Sequence, residues 1–221
     1  MIVDFMRLIE RMGFSGGMNA FDFDHPIVGF DVETYSPYGF PVDRRDPMIT
    51  ATLAVSPSFD MSRGLVLLSM LFPPRMEKVL LKLLKESLSG LSGSLVTYNG
   101  ERFDLPYTVH RASIYGINFK EVFTGYKSID VYRFARKLWT DLPSYGQKEV
   151  EGLLGLGRLV RDVDGSNYHE AFQRFFSNGD IKPLIYNIED SVGCLRILKH
   201  MVAKVLSVEK DKGRIANRGS L

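Results

Sequence analysis

The chain is expected to fold as an α/β domain, a five-stranded mixed sheet with helices on both faces. Three observations point there. Apolar runs of strand length recur at 27–34, 48–55, 64–69, 94–98 and 127–132, separated by turn-forming segments. Between and after the later runs, the apolar spacing changes from a strand period to a helical one. The first three runs follow one another as a meander, and helices alternate with strands thereafter, which covers a sheet on both sides.

The elements follow in order. Residues 1–26 hold a short amphipathic segment, MIVDFMRLIERMG, and a Gly-rich loop, FSGGMNAFDFDH, that leads into the first strand. Ile27-Val28-Gly29-Phe30 opens that strand as a buried apolar run, and a loop rich in Pro, Gly and charge at 35–47 separates it from the second, 48–55. The third strand is placed at 64–69. A helix is expected over 74–88, with Val79, Leu80, Leu83 and Leu84 on its buried stripe. The fourth strand, 94–98, runs into a helix at 103–115, and the fifth, 127–132, into a helix at 134–138. Further helices are expected over about 147–154, 167–177 and 181–206. Residues 27–206 thus form the domain, and 207–221 a basic, flexible tail carrying Lys210, Lys212, Arg214 and Arg218.

At 221 residues and 45% hydrophobic content, the chain suits one sizeable domain. A single cysteine, Cys194, excludes an internal disulfide and a Cys-based zinc site, and points to a reducing, cytoplasmic setting. The longest apolar stretch, Gly64 to Phe72, is too short to span a bilayer, so no membrane role is expected. The N-terminus lacks the apolar core of a signal peptide.

Four acidic residues in three segments carry the chemistry. Asp31 and Glu33 stand two apart at the end of the first strand and so share a face. Tyr186 and Asp190 stand four apart in a helical pattern and share another. Asp104 follows the fourth strand, where a helix begins; as an isolated residue it could equally be an N-cap. The first and fourth strands lie side by side in such a sheet, with Asp31, Glu33 and Asp104 near their carboxyl ends. Clustered carboxylates do not all stay ionised without cations, and hard oxygen ligands favour Mg²⁺ or Mn²⁺. With these four acids set aside, 28 basic side chains face 22 acidic ones, a surplus of +6 that suits a phosphate backbone.

The segments FDVET, YNGERFD and Tyr186-Asn187-Ile188-Glu189-Asp190 resemble the three motifs of the DEDD 3′–5′ exonucleases, in the tyrosine subfamily, since position 185 is Ile rather than His. The Asn-Gly and Phe-Asp of the second motif are most similar to the proofreading domain of family B DNA polymerases. The resemblance covers 27 to about 204 and leaves no room for a polymerase palm, so the exonuclease is expected to stand alone. It implies a ribonuclease H-like sheet of strand order 3-2-1-4-5 with the second strand antiparallel. It also implies two divalent cations, Mg²⁺ or Mn²⁺, and attack on the last phosphodiester of a single strand, releasing a nucleoside 5′-monophosphate. Asp31 would bridge both ions, Glu33 and Asp190 would hold the one that binds the attacking water, and Asp104 the other. Tyr186 would orient that water. Asn99, Phe103 and Thr34 would meet the substrate, single-stranded 3′ ends, DNA favoured over RNA.

Other side chains keep two readings. Asn99 could belong to a turn and Phe103 to the core. Tyr35, Tyr38 and Phe40 could contact unpaired bases from their loop. Lys127, Arg133, Arg136 and Lys137 alternate with Tyr132, Phe134 and Trp139, which reads first as a solvated basic side over a buried aromatic one. Asp130 could support the site or make a turn. The four histidines show no metal spacing. Asp162-Val163-Asp164-Gly165 lacks the closing Glu of a calcium loop, and Gly155-x-Gly157 lacks the third glycine of a dinucleotide site. Two rival functions stand beside the enzyme: a nucleic-acid-binding module without turnover, and a subunit active only with a repair or replication partner.

Overall fold

The computed structural model describes residues 23–24, 26–139 and 141–218, and of 205–218 the backbone alone. The expected N-terminal helix and most of the loop after it lie outside the described residues.

Five strands form one sheet in the order β3-β2-β1-β4-β5, as expected. They are β1 (Ile27–Thr34), β2 (Met48–Ser56), β3 (Val66–Leu71), β4 (Gly93–Thr97) and β5 (Tyr126–Asp130). β2 runs antiparallel to β1 and β3, while β1, β4 and β5 are parallel. The helices are α1 (Glu77–Ser89), α2 (Asp104–Ile114), α3 (Lys120–Thr124), α4 (Val131–Leu138), α5 (Gln147–Leu153), α6 (Tyr168–Asn178) and α7 (Lys182–Arg218). No described helix is long and apolar enough to cross a membrane.

The alternation of β1 divides the core. Val28, Phe30 and Val32 face α1–α3 and pack with Leu53, Leu80, Leu84, Leu95 and Phe119. Ile27 faces the other side, where Val96, Ile129, Leu195 and Leu198 pack beneath α4, α5 and α7. A third cluster, with Ile49, Tyr168, Phe172 and Tyr186, joins α6 to α7. Gly29 shares the face of Ile27, and a Cβ there would lie 2.2 Å from the Ser191 carbonyl oxygen. The missing side chain therefore lets α7 rest directly on β1.

Several boundaries move. β3 starts at Val66 because Gly64, at φ +109°, turns the chain before it. β5 ends at Asp130, whose side chain accepts from the Tyr132 amide and caps α4, so that helix begins at Val131. α7 continues past 206 to Arg218, and α3 was not foreseen. In α1 the buried stripe is Leu80, Leu81, Leu84 and Leu88, whereas Val79 and Leu83 are exposed. The arc rotates because Glu77, on the same stripe as Leu81, Leu84 and Leu88, is drawn fully inside. Its carboxylate accepts from the Met48 amide at 2.7 Å, from Arg111 Nε at 2.7 Å and from the Tyr115 hydroxyl at 2.8 Å.

The 35–47 loop is bound to α2 rather than free. The Tyr107 hydroxyl donates to the Asp46 carbonyl at 2.7 Å, and Arg111 Nη1 to the Asp43 carbonyl at 2.8 Å. The Asp46 carboxylate, itself buried, accepts from the Val42 amide and from Arg45.

Candidate functional site

β1 pairs with β4 only as far as Gly29 and continues to Thr34 beside β2, and a cavity of about 1230 Å³ opens along that carboxyl-terminal half of β1. Asp31 and Glu33 point into it from the α7 face of β1, and Tyr186 and Asp190 from α7 itself. One carboxylate oxygen from each of Asp31, Glu33 and Asp190 lies within 4.8 Å of the others. Asp104, the first residue of α2, lines the same cavity. Its carboxylate reaches back to β1 and accepts from the Val32 amide at 3.1 Å, so it does not cap its helix.

Each carboxyl group is raised above its ordinary value. Burial is the first cause for Asp31, followed by the charges of Asp104, Asp190 and Glu33. Glu33 is raised by burial, then by Asp190 and Asp104. Asp104 is carried up to about 7, again chiefly by burial. Asp190 is raised by burial and pulled back by the Arg158 guanidinium beside it. Such a group takes up a charge-compensating cation readily, and an all-oxygen set suits a hard divalent ion.

The folded, metal-free protein therefore holds more protons than the unfolded chain between about pH 4 and pH 7. Its stability is expected to fall as pH rises through that window, because the proton uptake that favours the folded state is lost there. Thermal melts at pH 5.5 and pH 8 check this. Mg²⁺ or Mn²⁺ is expected to raise the melting temperature more at pH 8, and equal shifts at both pH values would contradict it.

Around the carboxylates stand residues the sequence reading passed over. The Asn187 side-chain amide donates to Asp31 Oδ2 at 2.5 Å, and its carbonyl accepts from the Thr52 hydroxyl, which also bonds Ser69 at 2.8 Å. Asn187 is fully buried and lies inside the third motif, three residues before Asp190, so its helical spacing was a usable signal. Arg158 pairs with both Asp190 and Glu151, all three nearly out of solvent. It comes from an irregular loop, where no local pattern marks it. Lys148 Nζ lies 5.1 Å from the Tyr186 ring centroid and lowers the Glu33 acid. Asn187→Ala, which frees Asp31 to rotate, is expected to weaken Mn²⁺ binding by about 10–100-fold, measured by calorimetry. Unchanged affinity would remove Asn187 from any positioning role.

Burial pushes the Tyr186 hydroxyl far above its ordinary value, aided by Asp190 and Glu33, so it keeps its proton. Phe103 lines the cavity, its ring 5.0 Å from Tyr107 and 6.0 Å from Phe40. Phe40 is 82% exposed at the rim. Tyr38 is exposed outside the cavity lining, and Tyr35 turns away to pack on His169 and Phe172. Thr34 lines the cavity but is buried, its hydroxyl 2.6 Å from that of Ser36. Asn99 also lines it, at φ +63°. That strained turn is braced by Asp130, which accepts from the Asn99 amide at 2.7 Å and the Glu101 amide at 3.3 Å. Asp130 thus supports the loop and lies outside the carboxylate cavity.

Comparison with known proteins gives three findings. The sequence model described as RNase H superfamily matches residues 62–202. A DNA polymerase of Methanocaldococcus jannaschii is 27% identical over 198 residues, taking in 78% of this chain and 11% of the polymerase. The structure of the family B DNA polymerase from the hyperthermophilic archaeon Pyrobaculum calidifontis superposes with a TM-score of 0.63 at 17% identity. That match covers 80% of this chain and 24% of the polymerase. The chain thus spans a small part of the length of either relative.

Proposed function

Because this chain belongs to the RNase H superfamily, we propose that it is a metal-dependent 3′–5′ exonuclease of the DEDD type, tyrosine subfamily. Its substrate is the 3′ end of single-stranded nucleic acid, DNA before RNA, and its product a nucleoside 5′-monophosphate. The observation that carries this reading is the convergence of the Asp31, Glu33 and Asp190 oxygens within 4.8 Å, in a cavity that Asp104 and Tyr186 also line.

Two divalent cations fit this donor set. Asp31 would serve both, Glu33 and Asp190 one of them, and Asp104 the other. When bound, such ions supply Lewis acidity, making water nucleophilic near neutral pH and offsetting charge on the leaving 3′ oxygen. The protein's part is placement. Asn187 fixes the Asp31 carboxylate, and Arg158 fixes that of Asp190. Tyr186, retaining its proton, acts as a hydrogen-bonding group that aligns the attacking water and is not a base. Phe103 offers a ring face to the terminal base, with Phe40 at the rim beside it, and Asn99 presents its amide to sugar or phosphate.

The sequence similarity to a DNA polymerase supports DNA as the preferred strand. Matched 5′-labelled DNA and RNA oligonucleotides, incubated with Mg²⁺, Mn²⁺ or EDTA, test the reading. A ladder shortening from the 3′ end with metal alone is the expected result. Intact substrate under every condition, with folded protein, would overturn it.

A further inference from the structure

A second cleft, of about 540 Å³, adjoins the carboxylate cavity and shares Asn99, Tyr132 and Arg136 with it. Its character is basic. Arg102 enters from the loop after β4, and Arg133, Arg136 and Lys137 from α4. The helix itself explains the arrangement: Val131, Phe134 and Ala135 are buried in the core, which leaves positions 133, 136 and 137 on the outer side.

The two acids that line this cleft do not cancel it. Asp130 is 1% exposed and directs its carboxylate onto the Asn99, Glu101 and Tyr132 amides. Glu101 accepts from Arg133 at 2.7 Å, so the four cations and two acids of the lining leave a surplus of two positive charges among Arg102, Arg136 and Lys137. Arg136 is also pre-positioned, its guanidinium carbon 5.9 Å from the Tyr132 ring centroid and 5.8 Å from that of Tyr145. A merely solvated helix face would explain the exposed charges. It would not explain a concave basic surface opening into the acidic cavity, with an arginine held against two rings where they meet.

We propose that this cleft holds the phosphates upstream of the scissile one, so that a single strand passes over α4 on its way to the carboxylates. The inference rests on the exonuclease reading and adds to it the path of the strand. A basic groove flanked by aromatic rings binds single strands through backbone charge and stacking, with little regard to sequence.

The test uses the full chain and Arg102→Ala/Lys137→Ala, two exposed positions outside the lining of the carboxylate cavity. Binding of fluorescein-labelled (dT)12 and (U)12 is followed by anisotropy in Ca²⁺ from 50 to 300 mM NaCl. The slope of log Kd against log salt is expected to be shallower in the variant by about 1.4, roughly 0.7 for each lost phosphate contact on a single strand. Hydrolysis of (dT)12, divided by that of the nitrophenyl ester of thymidine 5′-monophosphate, is expected to fall several-fold. An unchanged salt slope would overturn the proposal, as would an equal loss on both substrates. If the wild type hydrolyses neither substrate but the slope changes as stated, the cleft stands and the exonuclease reading falls.

Discussion

Asp31→Ala is expected to abolish hydrolysis while leaving a folded protein. Asp31 is the residue on which the proposed site converges. Its carboxylate faces Glu33 and Asp190, feels Asp104, and is gripped by Asn187. Removing it takes away the ligand shared by both proposed ions, so the loss should exceed about three orders of magnitude, above the range for deleting one preorganised charge-stabilising group. Stability should move the other way. Asp31 is held in a strained electrostatic setting, raised by burial and by three neighbouring acids, so the metal-free variant is expected to melt no lower than the wild type at pH 8. The paired measurement is single-turnover cleavage of a 5′-labelled oligonucleotide with a thermal melt on the same preparation. Residual activity within tenfold of wild type would remove Asp31 from the centre of the site.

The largest expected effect on stability lies far from that chemistry. Glu77 is 0% exposed and binds the Met48 amide, Arg111 and the Tyr115 hydroxyl, which ties α1, β2 and the end of α2 together. Glu77→Ala strands the nearly buried Arg111 guanidinium and frees the Met48 amide. Breaking one partner of a buried ion pair costs about 3–5 kcal/mol, a large share of the roughly 5–15 kcal/mol that holds a domain folded. Urea denaturation is expected to show that loss. Glu77→Leu combined with Arg111→Met should recover most of it, because no lone charge then remains inside. A single-variant loss below about 1 kcal/mol would show that water reaches the pair.

Glu77 also shows where sequence reasoning stops. An acidic residue at the start of an amphipathic helix looks like a solvated first-turn charge, and only the arginine 34 positions later makes it an interior group. Arg158 was hidden for the same reason: its partners, Glu151 and Asp190, lie on two different helices. What could be read in advance rests on local periodicity. Alternation placed Asp31 and Glu33 on one face of β1, and the four-residue spacing of Tyr186 and Asp190 placed both toward the cavity. The strand order, too, was legible from the motifs. Asn187 sits between these cases, since its neighbour was read and its own spacing overlooked. The basic positions of α4 read as a solvated face and are exposed, but a concave surface cannot be seen in a linear pattern.

The contact at Gly29 has a consequence for how much the site can vary. Side chains that meet across an interface can rotate and absorb a change of size; two main chains in contact cannot. At Gly29 the sheet and α7 meet in that way, at Ser191, the residue next to Asp190, and two residues from Asp31. The gap between the first and third motifs is therefore a fixed tolerance of the backbone, indifferent to most of the sequence around it. A shift of about 1 Å in reacting geometry can cost a hundredfold in rate. Drift across the rest of the surface can leave the two carboxylates in register, whereas a single methyl group at this one position cannot.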